Sequence, residues 1–439
     1  MVDRRTNMTA TPIHAPEPSR AGRGGRRARE SARRGPLDAL VLDADLRQAL
    51  VAVRSLGRGG LAVGAAAATP RAPAFRSRWC DRTSRLPDPA TGGERLCEAI
   101  LALLDREPAA VVIPLHDGTI EALRTGRVAL ERRAAVALAS EPALAVAVDK
   151  DRTLAAARRL GVVVPRGVVV KDPRDAAVAV AAVGLPAVVK PVRSWLGDDR
   201  SAARLIPVAA VDAGGVARAV EIVTAAGAPA LVQEWLPGRR EAVSFLYARE
   251  RFWARFAQVA YCMAPSLGGS SVLRESITPP PDAEAAAERL VRDIELEGYS
   301  EVEFRRDREG RPALMEINPR LSASVEVAVR AGVDFPLLLH RWAAGEALPQ
   351  SAGYRAGVRM CWLGGELSRL AESVRRPGAP DVAPFGRELA RVGRDTLRPS
   401  GYDYLDRRDL SPAVGAIAGK LAEYGRRAVH TARGGSGGA

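Results

Sequence analysis

The sequence is poor in the residues that build metal clusters and covalent cross-links. Its 439 residues include four cysteines and four histidines, all widely spaced, with no CxxC pair and no HExxH. This spacing argues against zinc ribbons and disulfide frameworks and favours reduced thiols in the cytoplasm. No run approaches about 18 apolar residues, and no apolar stretch follows the N-terminal charges, so neither a membrane-spanning helix nor a secretory signal is predicted. The pattern GxxxxGK[ST] is also absent, which excludes a P-loop protein.

Lysine is scarce as well. Lysine and arginine together number 65, yet only Lys150, Lys171, Lys190 and Lys420 are lysines. Because arginine supplies nearly every surface charge, each lysine is expected where a compact ammonium serves better than a planar guanidinium. Binding a phosphate as a point charge is one such role.

Positive charge is concentrated at the N-terminus. The formal net charge is +14, and residues 1–35 hold nine arginines against three acids, with few apolar side chains. This composition predicts a disordered leader. The leader is either an arm for nucleic acid or another anionic surface, or a solvated segment without a specific partner. Residues 431–439 are rich in glycine and predict a flexible tail.

From residue 36 onward, strand and helix patterns alternate. Apolar runs and glycine stops predict strands at 37–45, 60–67 and 109–118 and helices at 46–60 and 92–108. The alternation predicts a parallel sheet covered by helices, which forms an N-terminal α/β domain over residues 36–145.

A second domain with two lobes follows, and then a C-terminal region. The lobes are predicted at 146–236, with a helical lead-in, and at 237–348, and the C-terminal region at 349–430. Within the second lobe, residues 262–277 predict a loop with small residues at its centre. Residues 300–320 predict a β-hairpin that turns at a glycine.

The predicted hairpin carries polar side chains at every second position. Alternation places Glu301 and Glu303 on one face of the first strand, and Glu316, Asn318 and Arg320 on one face of the second. Folding the strands together makes Glu303 and Glu316 cross-strand or diagonal neighbours. Opposed carboxylates repel unless a cation intervenes, and oxygen ligands without His or Cys suit Mg²⁺. The pattern predicts either a platform for Mg²⁺ and nucleotide, with Arg320 at the phosphates, or a solvated polar sheet face.

Two of the lysines lie at the ends of predicted elements, one at a helix start and one at a strand end. Lys150 is in the first turn of a predicted helix, where the helix dipole disfavours positive charge. Lys190 closes a predicted strand. A nearby phosphate would offset the unfavourable interaction of Lys150 with the helix dipole. The helix start and the strand end are both able to face one cleft. The alternative for Lys190 is a charge at a strand end that faces water.

The ordered set of motifs resembles the ATP-grasp superfamily over residues 37–345. The motifs are DK at 149–150, GVVVP at 161–165, VVKP at 188–191, VQEWLPG at 232–238, GGSS at 268–271, VEF at 302–304, MEINPR at 315–320 and AGVDFP at 331–336. The resemblance is to the carboxylate–amine ligase branch, which is carbamoyl-phosphate-synthetase-like. It implies an α/β (α+β ATP-grasp) fold: an N-terminal parallel α/β domain, a two-lobed ATP-gripping domain and a small C-terminal region.

The resemblance also implies roles for single residues around ATP. Lys150 and Lys190 would bind ATP phosphates. In the hinge between the lobes, the Glu234 carbonyl and Leu236 amide would hydrogen-bond the adenine. The Gln233 side chain would lie nearby, and Trp235 would pack. Glu241 would hold the ribose, although the family often has one residue fewer before this acid. Glu303, Glu316 and Asn318 would bind Mg²⁺, and Arg320 would be the catalytic arginine.

A predicted lid carries the substrate contacts that the resemblance implies. Its residues are Gly268, Gly269, Ser270, Ser271 and Arg274. The serines would hydrogen-bond an acyl phosphate and Arg274 would pair with a substrate carboxylate; the alternative is a mobile surface loop. Many members of the family also have a basic residue on the strand before the lid. This chain has none there, and either Arg255 or Arg274 is its candidate substitute.

The resemblance therefore implies an ATP-dependent ligase that joins a carboxylate to an amine through an acyl phosphate. Its cofactors would be ATP and one or two Mg²⁺ ions, with Mn²⁺ as a substitute. Small-molecule substrates are the expected partners, with or without a homo-oligomer and without a membrane. The alternatives are a bicarbonate-dependent carboxylation or carbamoyl transfer, and a non-catalytic nucleotide-binding protein with a basic nucleic-acid-binding arm.

Overall fold

The computed structural model describes residues 35–193, 195–197, 202–205, 207–266, 269–377, 382–397 and 399–416. Except for Gly35, the predicted leader lies outside these residues, as do the predicted tail and Gly268 of the predicted lid. The nucleic-acid arm therefore stays a prediction. Among the described helices, none has the length and apolar character needed to cross a membrane.

The N-terminal domain is a five-stranded sheet with helices packed against it. Its strands are β1 (Leu37–Val41), β2 (Val63–Ala67), β3 (Arg82–Arg85), β4 (Ala109–Ile113) and β5 (Ala135–Val136), in the order β3-β2-β1-β4-β5. Its helices are α1 (Arg47–Arg58), α2 (Gly93–Arg106), α3 (Asp117–Thr125) and α4 (Arg127–Glu131). Every strand pairing is parallel, and β2 is buried along its length, as parallel strands covered on both faces are. The predicted parallel α/β domain is confirmed.

The first lobe of the second domain is a small antiparallel sheet. Its strands are β6 (Gly167–Val170), β7 (Ala187–Pro191), β10 (Val208–Ala210) and β11 (Ala230–Glu234), in the order β10-β7-β11-β6. A separate hairpin follows β7 and consists of β8 (Trp195–Gly197) and β9 (Ala202–Arg204). The helices are α5 (Glu141–Ala147) and α6 (Lys150–Arg159), which lead in, and α7 (Ala176–Val183) and α8 (Ala213–Ala225).

The second lobe is built on a seven-stranded sheet that also includes the C-terminal region. Its strands are β12 (Arg240–Ala248), β13 (Arg251–Ala264), β14 (Ser270–Ile277), β15 (Gly298–Arg306), β16 (Pro312–Asn318), β17 (Arg359–Cys361) and β18 (Gly401–Tyr402), in the order β16-β15-β12-β13-β14-β17-β18. Its helices are α9 (Pro281–Asp293), α10 (Glu326–Ala331), α11 (Phe335–Ala343), α12 (Leu363–Arg375) and α13 (Phe385–Thr396). The residues after 349 thus extend the large sheet through β17 and β18.

The prediction of a loop over residues 262–277 is wrong. Strand β13 continues to Ala264 and β14 begins at Ser270, so most of the predicted loop belongs to two strands. Strand β14 pairs with β13 on one side and β17 on the other. Residues on both faces of β14 are largely buried, so the strand lacks the alternation of apolar and polar residues that marks a half-exposed strand. The small and polar residues of this segment therefore favoured the prediction of a loop.

The apolar core is divided in a way that defines the cleft. Two clusters each combine the N-terminal sheet with the large sheet; one contains Leu40 and Phe304, and the other contains Val41 and Phe256. The small sheet has a core of its own, to which the described residues of the other two sheets contribute nothing. The cleft for the site lies between the small sheet and the larger body.

Candidate active site

A cavity of about 320 Å³ lies between the small and large sheets. Most of the predicted site residues line it. They are Lys150, Lys190, Glu234, Trp235, Leu236, Gly269, Ser270, Ser271, Glu303, Glu316, Asn318 and Arg320. The fold therefore brings together residues that are more than a hundred positions apart in the sequence.

The hairpin face has the register that the sequence predicted. Glu303 lies directly opposite Glu316, and Glu301 lies opposite Asn318. The pairing then shifts to Phe304 opposite Leu314, which makes a β-bulge beside Glu303. The prediction that the two acids are close cross-strand neighbours is confirmed.

Glu303 is buried and surrounded by charge. Burial raises its pKa to about 8; Arg240 counters this rise, whereas Glu316 and Glu301 add to it. Nη1 of Arg240 lies 3.2 Å from each carboxylate oxygen of Glu303, and Nδ2 of Asn318 donates to Oε1 at 3.2 Å. Burial therefore disfavours the charged form of this carboxyl, and nearby positive charge favours it.

The pKa of Glu316 shifts in the opposite direction. Burial tends to raise its pKa, but Lys150, Lys190 and Arg240 outweigh burial and lower it. The two opposed acids thus differ: neighbouring cations favour the charged form of Glu316, whereas burial disfavours the charged form of Glu303. The described residues contain no group of three or more His, Cys, Asp or Glu that could enclose a metal.

This donor set fits Mg²⁺. Glu303, Glu316 and Asn318 offer oxygen atoms at the wall of the cavity, and Mg²⁺ commonly uses one or two carboxylates and completes its shell with water and phosphate. An open site of oxygen donors is also the kind that Mn²⁺ accepts.

The two predicted phosphate lysines face the same cavity, which confirms their predicted convergence. Lys190 is the last residue but one of β7, and its Nζ donates to the Met315 carbonyl at 3.2 Å. Burial, and then the charge of Lys150, lower its pKa to about 8. Lys150 is the first residue of α6, and Asp149 caps that helix by accepting from two backbone N–H groups. Two buried ammonium groups that repel each other make a region where an anion is stabilised.

The hinge segment is held by contacts on both of its sides. The Glu234 carboxylate accepts from the backbone N–H and Nε of Arg166, both at 2.8 Å. Trp235 packs beneath Arg305, whose guanidinium lies 4.6 Å from the ring centroid. Gln233 is buried just outside the cavity lining, and neither of its amide atoms has a hydrogen-bond partner among the described residues.

The lid turn requires glycine. Gly269 has a φ of +126°, and a Cβ there would lie 2.4 Å from the Ala264 carbonyl oxygen. Ser271 is buried and Ser270 is half-buried, and both line the cavity. The lid therefore presents its serines to the site.

Arg274, predicted to pair with a substrate carboxylate, is instead a structural residue. Its side chain is fully buried and forms an ion pair with Asp403. Asp403 also binds Arg47 at 2.6 Å. The prediction failed because residue 274 lies in a central strand and points toward the C-terminal region rather than the cavity.

Glu241 is also not brought to the cavity. Along β12 it alternates with Arg240, which faces the cavity, so Glu241 lies on the opposite face. There its carboxylate accepts from Arg306 at 2.9 Å. The structure therefore gives no support to the predicted ribose contact of Glu241.

Four charged residues of the cavity lining had no predicted role: Arg240, Arg305, Glu301 and Asp117. Glu301 shares the face of Glu303, and strand alternation alone could have identified it. Asp117 belongs to the N-terminal domain and accepts from Nε of Arg320 at 2.5 Å. Because that contact joins distant parts of the chain, no local pattern signals it.

Comparison with known sequences supports the resemblance over part of the chain. A family described as "ATP-grasp in the biosynthetic pathway with Ter operon" matches residues 229–365. Among curated protein sequences, none matches this chain.

Several solved structures share the fold. The biotin carboxylase domain of 2-oxoglutarate carboxylase from Hydrogenobacter thermophilus, solved as a dimer with MgADP, ADP and bicarbonate, is 15% identical over 74% of each chain, with a TM-score of 0.58. N5-carboxyaminoimidazole ribonucleotide synthetase from Thermus thermophilus is 19% identical over 73% of this chain and 81% of its own, with a TM-score of 0.54. An L-amino acid ligase from Bacillus licheniformis is 16% identical over 71% of this chain and 75% of its own, with a TM-score of 0.52.

Proposed function

Because this chain has the ATP-grasp fold, we propose that it is an ATP-dependent ligase that joins a carboxylate to an amine. The observation that carries the proposal is the hairpin face, where Glu303 and Glu316 are directly opposed at the wall of a cavity that Lys150 and Lys190 also line. Opposed acids beside paired ammonium groups suit a metal–triphosphate complex better than they suit a solvated surface.

The reaction proceeds in two steps. A carboxylate oxygen of the first substrate attacks the γ-phosphorus of ATP, the bond to ADP breaks, and an acyl phosphate forms. The amine nitrogen of the second substrate then attacks the acyl carbon, phosphate leaves, and the nitrogen loses a proton to give the amide. The protein provides positioning and charge, since the substrates themselves supply both nucleophiles.

Each group of residues has a place in this scheme. Lys150 and Lys190 bind the phosphates, and Arg320 stabilises the charge on the moving phosphoryl group. Glu303, Glu316 and Asn318 would hold Mg²⁺, which when bound would neutralise charge on the β- and γ-phosphates. The lid serines, Ser270 and Ser271, hydrogen-bond the acyl phosphate, and closure of the lid excludes water from it.

A screen for ADP release tests the proposal. Purified protein is given Mg·ATP with single amino acids and small carboxylic acids, and hydroxylamine is added as a neutral nucleophile. An acyl phosphate would be captured as a hydroxamate, so the expected result is hydroxamate formation that depends on one class of carboxylate. Protein that binds ATP but releases no ADP with any carboxylate would refute the ligase proposal.

A bicarbonate-dependent carboxylation is the second candidate, because a carboxylase with bound bicarbonate is among the proteins of the same fold. The same screen separates the two reactions. ADP release that requires bicarbonate and needs no other carboxylate would favour carboxylation, whereas release that persists after bicarbonate is removed would favour ligation.

A further inference from the structure

Arg240 begins β12 and lines the cavity between the two sheets. Its cross-strand neighbour on β13 is Ala260. Residues 256–266, which form the rest of β13 and the turn after it, contain neither lysine nor arginine. Arg240 therefore supplies positive charge to a part of the cavity wall where β13 supplies none.

The arginines of the cavity differ in what holds them. Arg305 lies over the Trp235 ring and donates to the Gly238 carbonyl at 2.9 Å. Arg240 instead contacts Glu303: a single nitrogen, Nη1, lies 3.2 Å from both carboxylate oxygens and 3.5 Å from the Gly269 carbonyl oxygen. One nitrogen shared by two oxygens is a looser contact than the fork in which two nitrogens face two oxygens.

Arg240 and a divalent cation compete for the same carboxylate. A metal bound to Glu303 would take over the oxygens that Arg240 contacts and would repel its positive charge. The Arg240 side chain is 15% exposed, and it opens onto the cavity of about 320 Å³. In a cavity filled by nucleotide, phosphate oxygens are the acceptors that the released guanidinium would meet.

We infer that Arg240 is a nucleotide-phosphate ligand that Glu303 holds until a metal ion binds and releases it. The inference rests on the proposed function, because it requires metal and nucleotide in this cavity. Arg240 then weakens metal binding in the empty site and strengthens nucleotide binding in the filled site. Metal and nucleotide are therefore coupled, and each favours the binding of the other.

The two roles predict opposite effects of one substitution. In Arg240→Met, Mn²⁺ alone should bind about 3–10-fold more tightly by electron paramagnetic resonance, because Glu303 has lost a competing cation. Mg·AMP-PNP should bind about 10–100-fold more weakly by calorimetry, because charge-assisted hydrogen bonds to phosphate are lost.

Two further variants make the measurement specific. Arg240→Lys keeps the charge, so its Mn²⁺ affinity should stay near that of the wild type, and its nucleotide affinity should fall between the wild type and Arg240→Met. Arg239→Met is the matched control, since this neighbouring arginine is exposed and lies 4.8 Å from the Tyr261 ring centroid, outside the cavity. Both affinities should be unchanged in it.

The outcomes separate the inference from its premise. Tighter Mn²⁺ binding with unchanged nucleotide binding in Arg240→Met would make Arg240 a counterion only and overturn the inference. Weaker binding of both Mn²⁺ and Mg·AMP-PNP would mean that Arg240 orients the Glu303 carboxylate rather than competes with the metal for it. That result would also overturn the inference. Wild-type protein that binds both probes but forms no ADP would refute only the ligase reaction, and failure to bind either probe would refute both.

Discussion

Asp117, the first residue of α3, accepts a 2.5 Å hydrogen bond from Nε of Arg320, which lies 203 residues further along the chain. The segment that carries Asp117 is itself anchored, because Asp43 accepts from the backbone N–H groups of Leu115 and His116 at 2.9 Å each. The N-terminal domain thus orients Arg320 through Nε, and in the proposed reaction the two Nη groups would donate to a phosphate.

Removal of Asp117 should slow the reaction without preventing nucleotide binding. Asp117→Ala is expected to lower kcat for ADP release about 10–100-fold, because the arginine loses its alignment, while KM for ATP changes little. Asp117→Asn keeps an oxygen that accepts from Nε–H and should recover much of the rate. Steady-state assays with the best carboxylate of the screen test this, with Asp105→Ala, which removes the more exposed ion pair with Arg133, as the control. Equal losses in the Ala and Asn variants would contradict an orienting role.

Glu316 should be indispensable for turnover. Glu316→Gln keeps the shape of the side chain but removes the carboxylate that Lys150, Lys190 and Arg240 keep ionised. ADP release should fall by at least about 100-fold, given the several kcal/mol that a bound metal contributes to such reactions. Mn²⁺ binding, followed by paramagnetic resonance, should weaken in parallel, and the exposed Glu98→Gln should change neither. Activity that survives in Glu316→Gln would show that the metal assignment is wrong.

The scarcity of lysine provides a matched test of the phosphate site. Lys150→Met and Lys190→Met should each weaken Mg·AMP-PNP binding about 10–100-fold, because each loses a charged donor to phosphate. Lys171→Met should bind as tightly as the wild type, since Lys171 is exposed on the surface. Calorimetry on the three variants measures the difference directly. Similar affinities in all three would remove both lysines from the nucleotide site.

The buried Arg47–Asp403–Arg274 cluster predicts a stability defect. Asp403→Asn leaves two buried guanidinium groups without their counterion and should destabilise the protein by about 3–5 kcal/mol. Asp406→Asn, which breaks the more exposed pair with Arg58, should cost less than about 1 kcal/mol. Urea denaturation followed by circular dichroism compares the two, and equal midpoints would contradict this assignment.

The same cluster predicts how the defect depends on pH. Burial tends to raise the pKa of Asp403, but Arg274 and Arg47 outweigh it and hold the pKa below 3.8. A depressed folded-state pKa contributes stability above the unfolded value, and that stability is lost as pH falls through the folded value. The difference between wild type and Asp403→Asn should therefore be complete at pH 7 and shrink below about pH 4. A stability difference between wild type and Asp403→Asn that grows as pH falls would contradict a lowered pKa of Asp403 in the folded protein.

Local alternation made the face with the opposed acids predictable. Glu303 and Glu316 lie in two strands joined by one tight turn, so side-chain direction and register follow from about twenty residues of sequence. The two lysines were predictable for a different reason, since scarcity and position at element ends both marked them. In each case the signal lay within a single element or a single turn.

The failed predictions depended on contacts between distant segments. Arg274 has the same local setting as a lid arginine, and only the position of Asp403 in the C-terminal region shows that it faces the other way. Glu241 lies on the face of β12 opposite the cavity, where it pairs with Arg306, and its neighbour Arg240 faces the cavity instead. Asp117 was missed because its partner lies in another domain. Sequence spacing cannot report which of two faces a distant segment will cover.

The separate core of the small sheet has a consequence for cooperativity. Its apolar residues pack among themselves, whereas the N-terminal and large sheets share theirs. Amide hydrogens of β6, β7 and β11 should therefore exchange through opening events that leave β12 to β16 protected. ATP would contact Lys190 on one unit and the Glu316 face on the other, so its binding should slow that exchange and merge two unfolding transitions into one. The nucleotide then acts as a structural element that makes two folding units behave as a single one.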